Sequence, residues 1–358
     1  MSTFAVTVEK IESVSEHPNA DKLEIVKLWG LDYTFVVGIG MFFEGQNVIF
    51  FPIDSVLPDE ISKVFELKEK SIVKAVKLRG VVSQGLLAHV GEFHQYFSDY
   101  DYPDVGHDLT NTFGVTKYEP EAVITKSGDL VKLPDYVSHY DIENAERHAR
   151  IVDLLASGKV VVTEKVEGSH WGCTYDSRDD SYHVFQRNYE ILPVGDKIHT
   201  WHKAFEEGNF KDKLLNIVQH LGKKKVKFDV VTIRGEIVGP GIQKNYYKLP
   251  NHRVYVFEIE IDGVPIDAFD NGRVSFYDLI IDFDIVPVPL IIIPKANLIY
   301  WIGDSTLPER ANGMSKINKS KMREGIVIRP MNEMYDEEFG RVFIKQKSPE
   351  YLAIGSES

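Results

Sequence analysis

Hydrophobic and β-branched residues in the first hundred positions fall in short runs, 5–11, 23–29, 34–37 and 47–51, each closed by Gly, Pro, Asn or Asp. Runs this short, bounded by turn formers, predict strands, and four in succession predict a small β-barrel. From about 93 to 138 the periodicity fades into Tyr, Asp, Pro and Gly, as in YFSDYDYPDVGHD, which reads as a linker. From Ile142 the apolar spacing becomes helical through Ile151, Leu154 and Leu155, with Gly158 placed to end the helix. Beyond it, 160–166 reads as a strand and 171–175 with 182–186 as a hairpin around Ser177-Arg178-Asp179-Asp180. Further strands are expected at 226–237, 253–261, 325–329 and 341–347, and helices over 196–220 and 272–282. Strand runs with inserted helices predict an α+β fold of antiparallel sheets with flanking helices, not a doubly wound one. The expected division is a barrel domain at 1–95, a linker at 96–140 and an α+β domain at 141–358.

Composition narrows the class. The chain has 358 residues, 43% of them hydrophobic, enough for one or two ordinary cores and too apolar for a disordered segment. The single cysteine, Cys173, cannot form an internal disulfide, and the start MSTFAVTVEK resembles no secretory leader, so a reducing, cytoplasmic setting is expected. The greasiest stretch, 280–293, contains Asp282, Asp284, Pro287 and Pro289, so no membrane span is expected. With 41 Lys+Arg against 54 Asp+Glu the net charge is −13, and a nucleic acid would have to find local basic surface. The densest basic run lies between Lys211 and Lys227 and includes Lys223-Lys224-Lys225; it reads either as a contact for duplex phosphates or as a solvated helix end.

Neither GxxxxGK[ST] nor a GxGxxG after a strand occurs, so the usual phosphate cradles are missing. In Thr163-Glu164-Lys165-Val166-Glu167-Gly168-Ser169 a lysine ends an apolar strand, with a carboxylate two residues on and a glycine after it. Such a lysine is a candidate nucleophile if it can be held neutral; taken alone, the pattern is equally an edge-strand salt bridge beside a turn. Further polar islands follow inside apolar strands: Gln186-Arg187-Asn188, Arg234-Gly235-Glu236, Phe257-Glu258, Arg323-Glu324-Gly325-Ile326-Val327-Ile328-Arg329 and Lys345-Gln346-Lys347. Charges on half-buried strands are costly unless paired or used, so a series of them suggests one shared cleft.

The ordered series resembles the motifs of the covalent nucleotidyltransferases, which include ATP-dependent DNA ligases, RNA ligases and mRNA capping enzymes. Only 11 residues follow Lys347, so the C-terminal OB domain of DNA ligases and capping enzymes is not expected. EKVEGS, RGEIVGP, VFEIEI and REGIVIRP are similar to the wording of RNA ligases that seal nicks. HPNADKLEIVKL and KLRGVVSQGLL resemble OB-fold tRNA-binding modules, and an OB domain ahead of the ligase core is similar to the Deinococcus-type nick-sealing RNA ligases.

The resemblance implies an ATP-dependent enzyme that uses Mg2+ or Mn2+, works on a nicked duplex with RNA on the 3′-hydroxyl side and acts as a monomer. It assigns Lys165 as the nucleophile adenylated by ATP, and Lys345 and Lys347 as groups that neutralise the α-phosphate and depress the Lys165 pKa. Glu324 and Glu167 would hold the metal, Glu236 the ribose, Phe257 the adenine face, Arg187 a phosphate or the ribose, and Glu164 would line the adenine pocket or point to solvent. Pairing with Arg323 or a neighbouring lysine is the ordinary alternative for the two metal-binding glutamates. His170 departs from the family pattern, in which some relatives have an asparagine near the reactive phosphates. In the barrel, Lys22, Lys27, Lys74, Lys77 and Arg79 with Phe35, Phe42 and Phe43 offer a nucleic-acid surface, although most of these aromatics suit the core. A non-catalytic RNA-binding protein with a relic core, and a minimal DNA ligase, remain as alternatives.

Overall fold

The computed structural model describes residues 4–97, 102–118, 128–138, 140–156, 158–193, 198–268, 274–292 and 297–354. The chain divides into two compact units, one made of Met1–Ala122, Glu143–Arg150 and Lys347–Ser358, the other of Val123–Ile142 and Ile151–Gln346.

In the first unit, strands β1 (Thr7–Glu16), β2 (Leu23–Leu28), β3 (Leu31–Gly38), β4 (Asn47–Phe51) and β5 (Leu86–His89) form an antiparallel sheet in the order β3-β2-β1-β4-β5. Alternate residues of these strands feed two cores, one around Val8, Ile49, Phe51 and Phe93, the other around Ile11, Val26, Phe35 and Phe50. The two module-like motifs hold each other. The His17 ring lies 3.1 Å from the Leu78 carbonyl through Nε2 and 3.1 Å from the Asn19 amide through Nδ1, while Asn19 Nδ2 donates to the Arg79 carbonyl at 3.0 Å. Gly85 is needed because its φ is +133° and a Cβ there would meet the Phe51 carbonyl oxygen at 2.6 Å. Phe35 and Phe42 are core, as expected for most of these aromatics, whereas Phe43 is 66% exposed.

The segment expected to be a linker carries structure at both ends. Leu109, Phe113 and Val115 are buried in the first unit's core, and Gly128–Lys132 forms strand β6. Each piece completes a sheet or core built elsewhere, so neither needs local periodicity.

In the second unit, β6 joins β8 (Ser169–Asp176), β9 (Ser181–Phe185), β10 (Tyr189–Pro193), β11 (Val230–Val238), β12 (Arg253–Ile261) and β13 (Val264–Pro265) in a sheet ordered β6-β10-β9-β8-β11-β12-β13. A second sheet has β16 (Ile344–Lys347), β15 (Gly325–Pro330), β7 (Val160–Lys165) and β14 (Leu290–Ile292) as neighbours in that order. Trp171, Cys173, Val231, Ile233 and Ile237 pack against Leu214, Ile217 and Leu221 of the helix α2 (Phe210–Lys223). With a period of two, His170, Gly172, Thr232, Arg234 and Glu236 therefore take the opposite face.

The single helix expected over 196–220 is two, α1 (Thr200–Glu207) and α2, broken where Asn209 turns left-handed at φ 52°. The other expected helix is the shorter α3 (Phe276–Asp282). Residues 196–197 and 272–273, where those helices were expected to begin, lie outside the described residues. Among the described residues no helix is long and apolar enough to cross a membrane.

Candidate active site

Strand β7 is buried as far as Glu164 and pairs antiparallel with β15, so that Lys165 lies opposite Gly325. That register brings the residue just before β15 to the lysine: Lys165 Nζ is 2.5 Å from Glu324 Oε2. Beyond Lys165 the chain turns tightly. The Glu167 amide donates to the Tyr247 hydroxyl at 2.8 Å, and Gly168 lies against β11 so closely that a Cβ would sit 2.5 Å from the Ile237 carbonyl oxygen and 2.8 Å from Glu236 Cγ. The glycine of the Lys-x-Glu-Gly pattern is thus a packing requirement.

The site carries more carboxylate than its lysine can neutralise. Burial alone would lower the Lys165 pKa, but Glu324, Glu236 and Glu167 outweigh it and hold the ammonium form above its ordinary value. The Lys165 pKa is thus raised, not lowered, in the free protein, where the carboxylates outweigh burial. Burial is the first cause that pushes Glu236 up to about 8; Glu324 and Glu167 add to it against Lys165 and Arg187. Glu236 therefore holds its proton more tightly than an ordinary carboxylate, and its charge and that of Lys165 depend on each other.

Among the described residues no group of three or more His, Cys, Asp or Glu side chains is arranged to hold a metal. A magnesium-like cation does not need one, since it keeps waters and takes one or two carboxylates together with substrate phosphates. Glu324 and Glu167, with their surplus negative charge around Lys165, fit that requirement. Of the ordinary alternatives, Arg323 does not pair with them, since its guanidinium caps the carbonyls of Arg310, Ala311 and Asn312, whereas a lysine does: Glu324 pairs with Lys165. Glu164 does not point to solvent. It is 1% exposed, and its two oxygens accept the Ser315 hydroxyl at 2.5 Å and the Lys316 amide at 2.8 Å.

His170 lies directly opposite Glu236 in the β8–β11 pairing, so the two share a face. Phe257 reaches that face by a β-bulge. Arg234 pairs with Glu258 and Gly235 with Val256, which leaves Phe257 as the extra residue, and bulges beside active sites re-aim a side chain in this way. The Phe257 ring centroid is 4.8 Å from that of Tyr140 and 5.8 Å from that of His170. The His170 Nε2 is buried without a hydrogen-bond partner, and burial, helped by Arg234 and Arg187, keeps the ring neutral. Arg187 donates to Asp141 at 3.0 Å. On β16, Lys345 and Lys347 alternate with buried Gln346 and so share one face; Lys347, which clusters with the first unit, lies 3.8 Å from Asp54.

Sequence reasoning missed Tyr247, Ser315, Tyr140 and Asp141. Tyr247 is 80 residues from Glu167, and Ser315 is 151 from Glu164. No local pattern signals such pairings.

Comparison with known families and structures gives a consistent result. An RNA ligase family matches residues 158–347 and an OB-fold domain family matches residues 5–90. A Naegleria gruberi RNA ligase variant with ATP and Mn is 23% identical, covers 99% of this chain and 100% of its own, and superposes with a TM-score of 0.75. The same enzyme with PPi is 23% identical, covers 99% of each chain and gives 0.72; a variant with AMP and Mn is 23% identical, covers 98% of each and gives 0.74. At this identity the likeness shows the fold alone, that of the Naegleria RNA ligase, and the OB-fold match agrees with it for the N-terminal part. A search of curated proteins finds no match. Because the RNA ligase match spans more than half of the sequence, including the strand that ends in Lys165 and the strand that follows Glu324, the chain belongs to the RNA ligase family.

Proposed function

We propose that this RNA ligase is ATP-dependent and seals nicks in duplexes whose 3′-hydroxyl strand ends in RNA, through a lysyl-AMP intermediate. Lys165 attacks the α-phosphorus of ATP, expelling pyrophosphate and holding AMP as a phosphoramidate. AMP then passes to a 5′-phosphate, and a 3′-hydroxyl attacks the activated end with loss of AMP. The observation that carries this reading is the amine of Lys165, 2.5 Å from Glu324 and within the field of two further carboxylates at the end of a buried strand. ATP, AMP, PPi and Mn occur with the Naegleria enzyme of the same fold.

Each side chain has a part in this reading. Glu236 accepts a hydrogen bond from the ribose, and its raised pKa lets it donate one when protonated. Phe257 stacks on the adenine, Arg187 takes a phosphate or the ribose, and Glu164 keeps the 315–316 turn against the nucleotide pocket. Lys345 and Lys347 supply positive charge toward the α-phosphate. Glu324 and Glu167 would hold the divalent cation, which neutralises the charge that keeps Lys165 protonated and stabilises charge at phosphorus. The enzyme works as a monomer in the cytoplasm.

The test is incubation with α-labelled ATP and Mg2+ or Mn2+, followed by denaturation, with Lys165→Ala alongside. Label on the wild-type chain that is lost in the variant is the expected result. No label with either metal would leave an RNA-binding protein with a relic core. Equal sealing of nicks with a ribose or a deoxyribose at the 3′-hydroxyl would return the minimal DNA ligase.

A further inference from the structure

Ser138, Tyr140 and Asp141 meet side chains on or beside the sheet face that carries His170, Arg234 and Glu236. Arg234 Nη2 donates to the Ser138 carbonyl at 2.8 Å and to its hydroxyl at 3.2 Å. The Tyr140 ring lies on Phe257 at 4.8 Å between centroids and 32° between planes, with His170 at 5.6 Å, Phe343 at 5.8 Å and the Arg234 guanidinium at 5.7 Å also beside it. Asp141 holds its Oδ1 toward the Ile142 amide at 3.0 Å and accepts Arg187 at 3.0 Å on the same oxygen. Phe257 is the extra residue of a bulge, so ladder pairing does not fix its ring, and Arg187 stands on a half-exposed stretch between β9 and β10. Both groups would be loosely aimed without these contacts.

We propose that Tyr140 and Asp141 are positioning residues for the nucleotide: Tyr140 backs one face of Phe257 so that the other face is presented to the base, and Asp141 orients Arg187 toward the sugar or phosphate. Neither touches the reacting atoms. The idea rests on the ATP-dependent reading above, and the experiment separates the two.

The measurement is single-turnover transfer of label from α-labelled ATP to the full chain as a function of ATP concentration, for wild type, Tyr140→Ala, Tyr140→Phe and Asp141→Asn. An aromatic contact of this kind contributes roughly three- to tenfold. Tyr140→Ala should raise the half-saturating ATP concentration by about that factor and leave the maximal rate within roughly threefold. Tyr140→Phe should restore the wild-type value, since the ring and not the hydroxyl makes the contact. Asp141→Asn, which keeps shape and removes charge, should also raise the half-saturating concentration. Unchanged half-saturation in Tyr140→Ala and Asp141→Asn would overturn the proposal, as would a Tyr140→Phe variant as impaired as Tyr140→Ala. Should Tyr140→Ala fail to fold in a thermal melt, Asp141→Asn and Tyr140→Phe still decide it. Absence of label on the wild-type chain would refute the ATP reading instead.

Discussion

At the scale of single residues, the balance of charge around Lys165 has a measurable sign. Glu236 has its pKa raised from 4.5 to about 8, so the folded chain binds that proton more tightly than the unfolded one. Its contribution to stability is then full below about 4.5 and declines as pH climbs through 8. In the absence of metal, Glu236→Gln should flatten that decline, gaining about 2–4 kcal/mol relative to wild type at pH 9. Denaturant midpoints measured from pH 5 to 9 check this, and parallel curves for the two proteins would refute it. The series of polar islands was legible from its order along the chain, although Gln186-Arg187-Asn188 lies in the turn between β9 and β10 and Glu324 just before β15 rather than within strands. The direction of the Lys165 shift was not legible, since it depends on Glu236 and Glu324, which two distant segments bring to the same point as the neighbouring Glu167.

At the scale of elements, the Lys-x-Glu-Gly turn is held by close packing against β11. Gly168→Ala would drive a methyl against the Ile237 carbonyl oxygen and Glu236 Cγ, and overpacking of this kind costs about 1–3 kcal/mol. The expected outcome is a lower unfolding midpoint together with slower self-adenylation, because the displaced strand carries Glu236. A midpoint equal to wild type would show that the turn can relax. The bulge at Phe257 belongs to the same scale: alternation in VYVFEIEI predicts a strand, yet no pattern in it shows that one residue is left out of register. The break between α1 and α2 was similarly hidden, because apolar spacing continues across Gly208-Asn209 while the backbone turns left-handed.

At the scale of the whole molecule, the net charge of −13 directs attention to its basic run. Lys223, Lys224, Lys225 and Lys227 are exposed at and beyond the C-terminal end of α2, and α2 packs on the sheet face away from His170 and Glu236. The helix-end reading therefore outweighs the duplex-contact reading. Replacing all four by Ala should leave nick sealing within about twofold and lower stability by about 0.3–1 kcal/mol through loss of cations near the helix C-terminus. A large rise in the nick concentration needed for half-maximal sealing would show that the run contacts the substrate after all. By itself the sequence determined that there is a barrel region and an α+β region and that charged groups recur along the strands of the latter, because strand periodicity and costly buried charges are local properties written residue by residue; the proposed roles of Lys165 and the groups around it came from resemblance to a family. Only the tertiary structure decided that Glu324 is the partner of Lys165, that Glu164 is consumed by Ser315 and Lys316, that the supposed linker contributes a strand and residues of a core, and that Tyr140 lies on Phe257 and Asp141 pairs with Arg187. These are pairings across tens to more than a hundred residues, set by strand register and close packing, and no local pattern encodes which distant residue will fill the space.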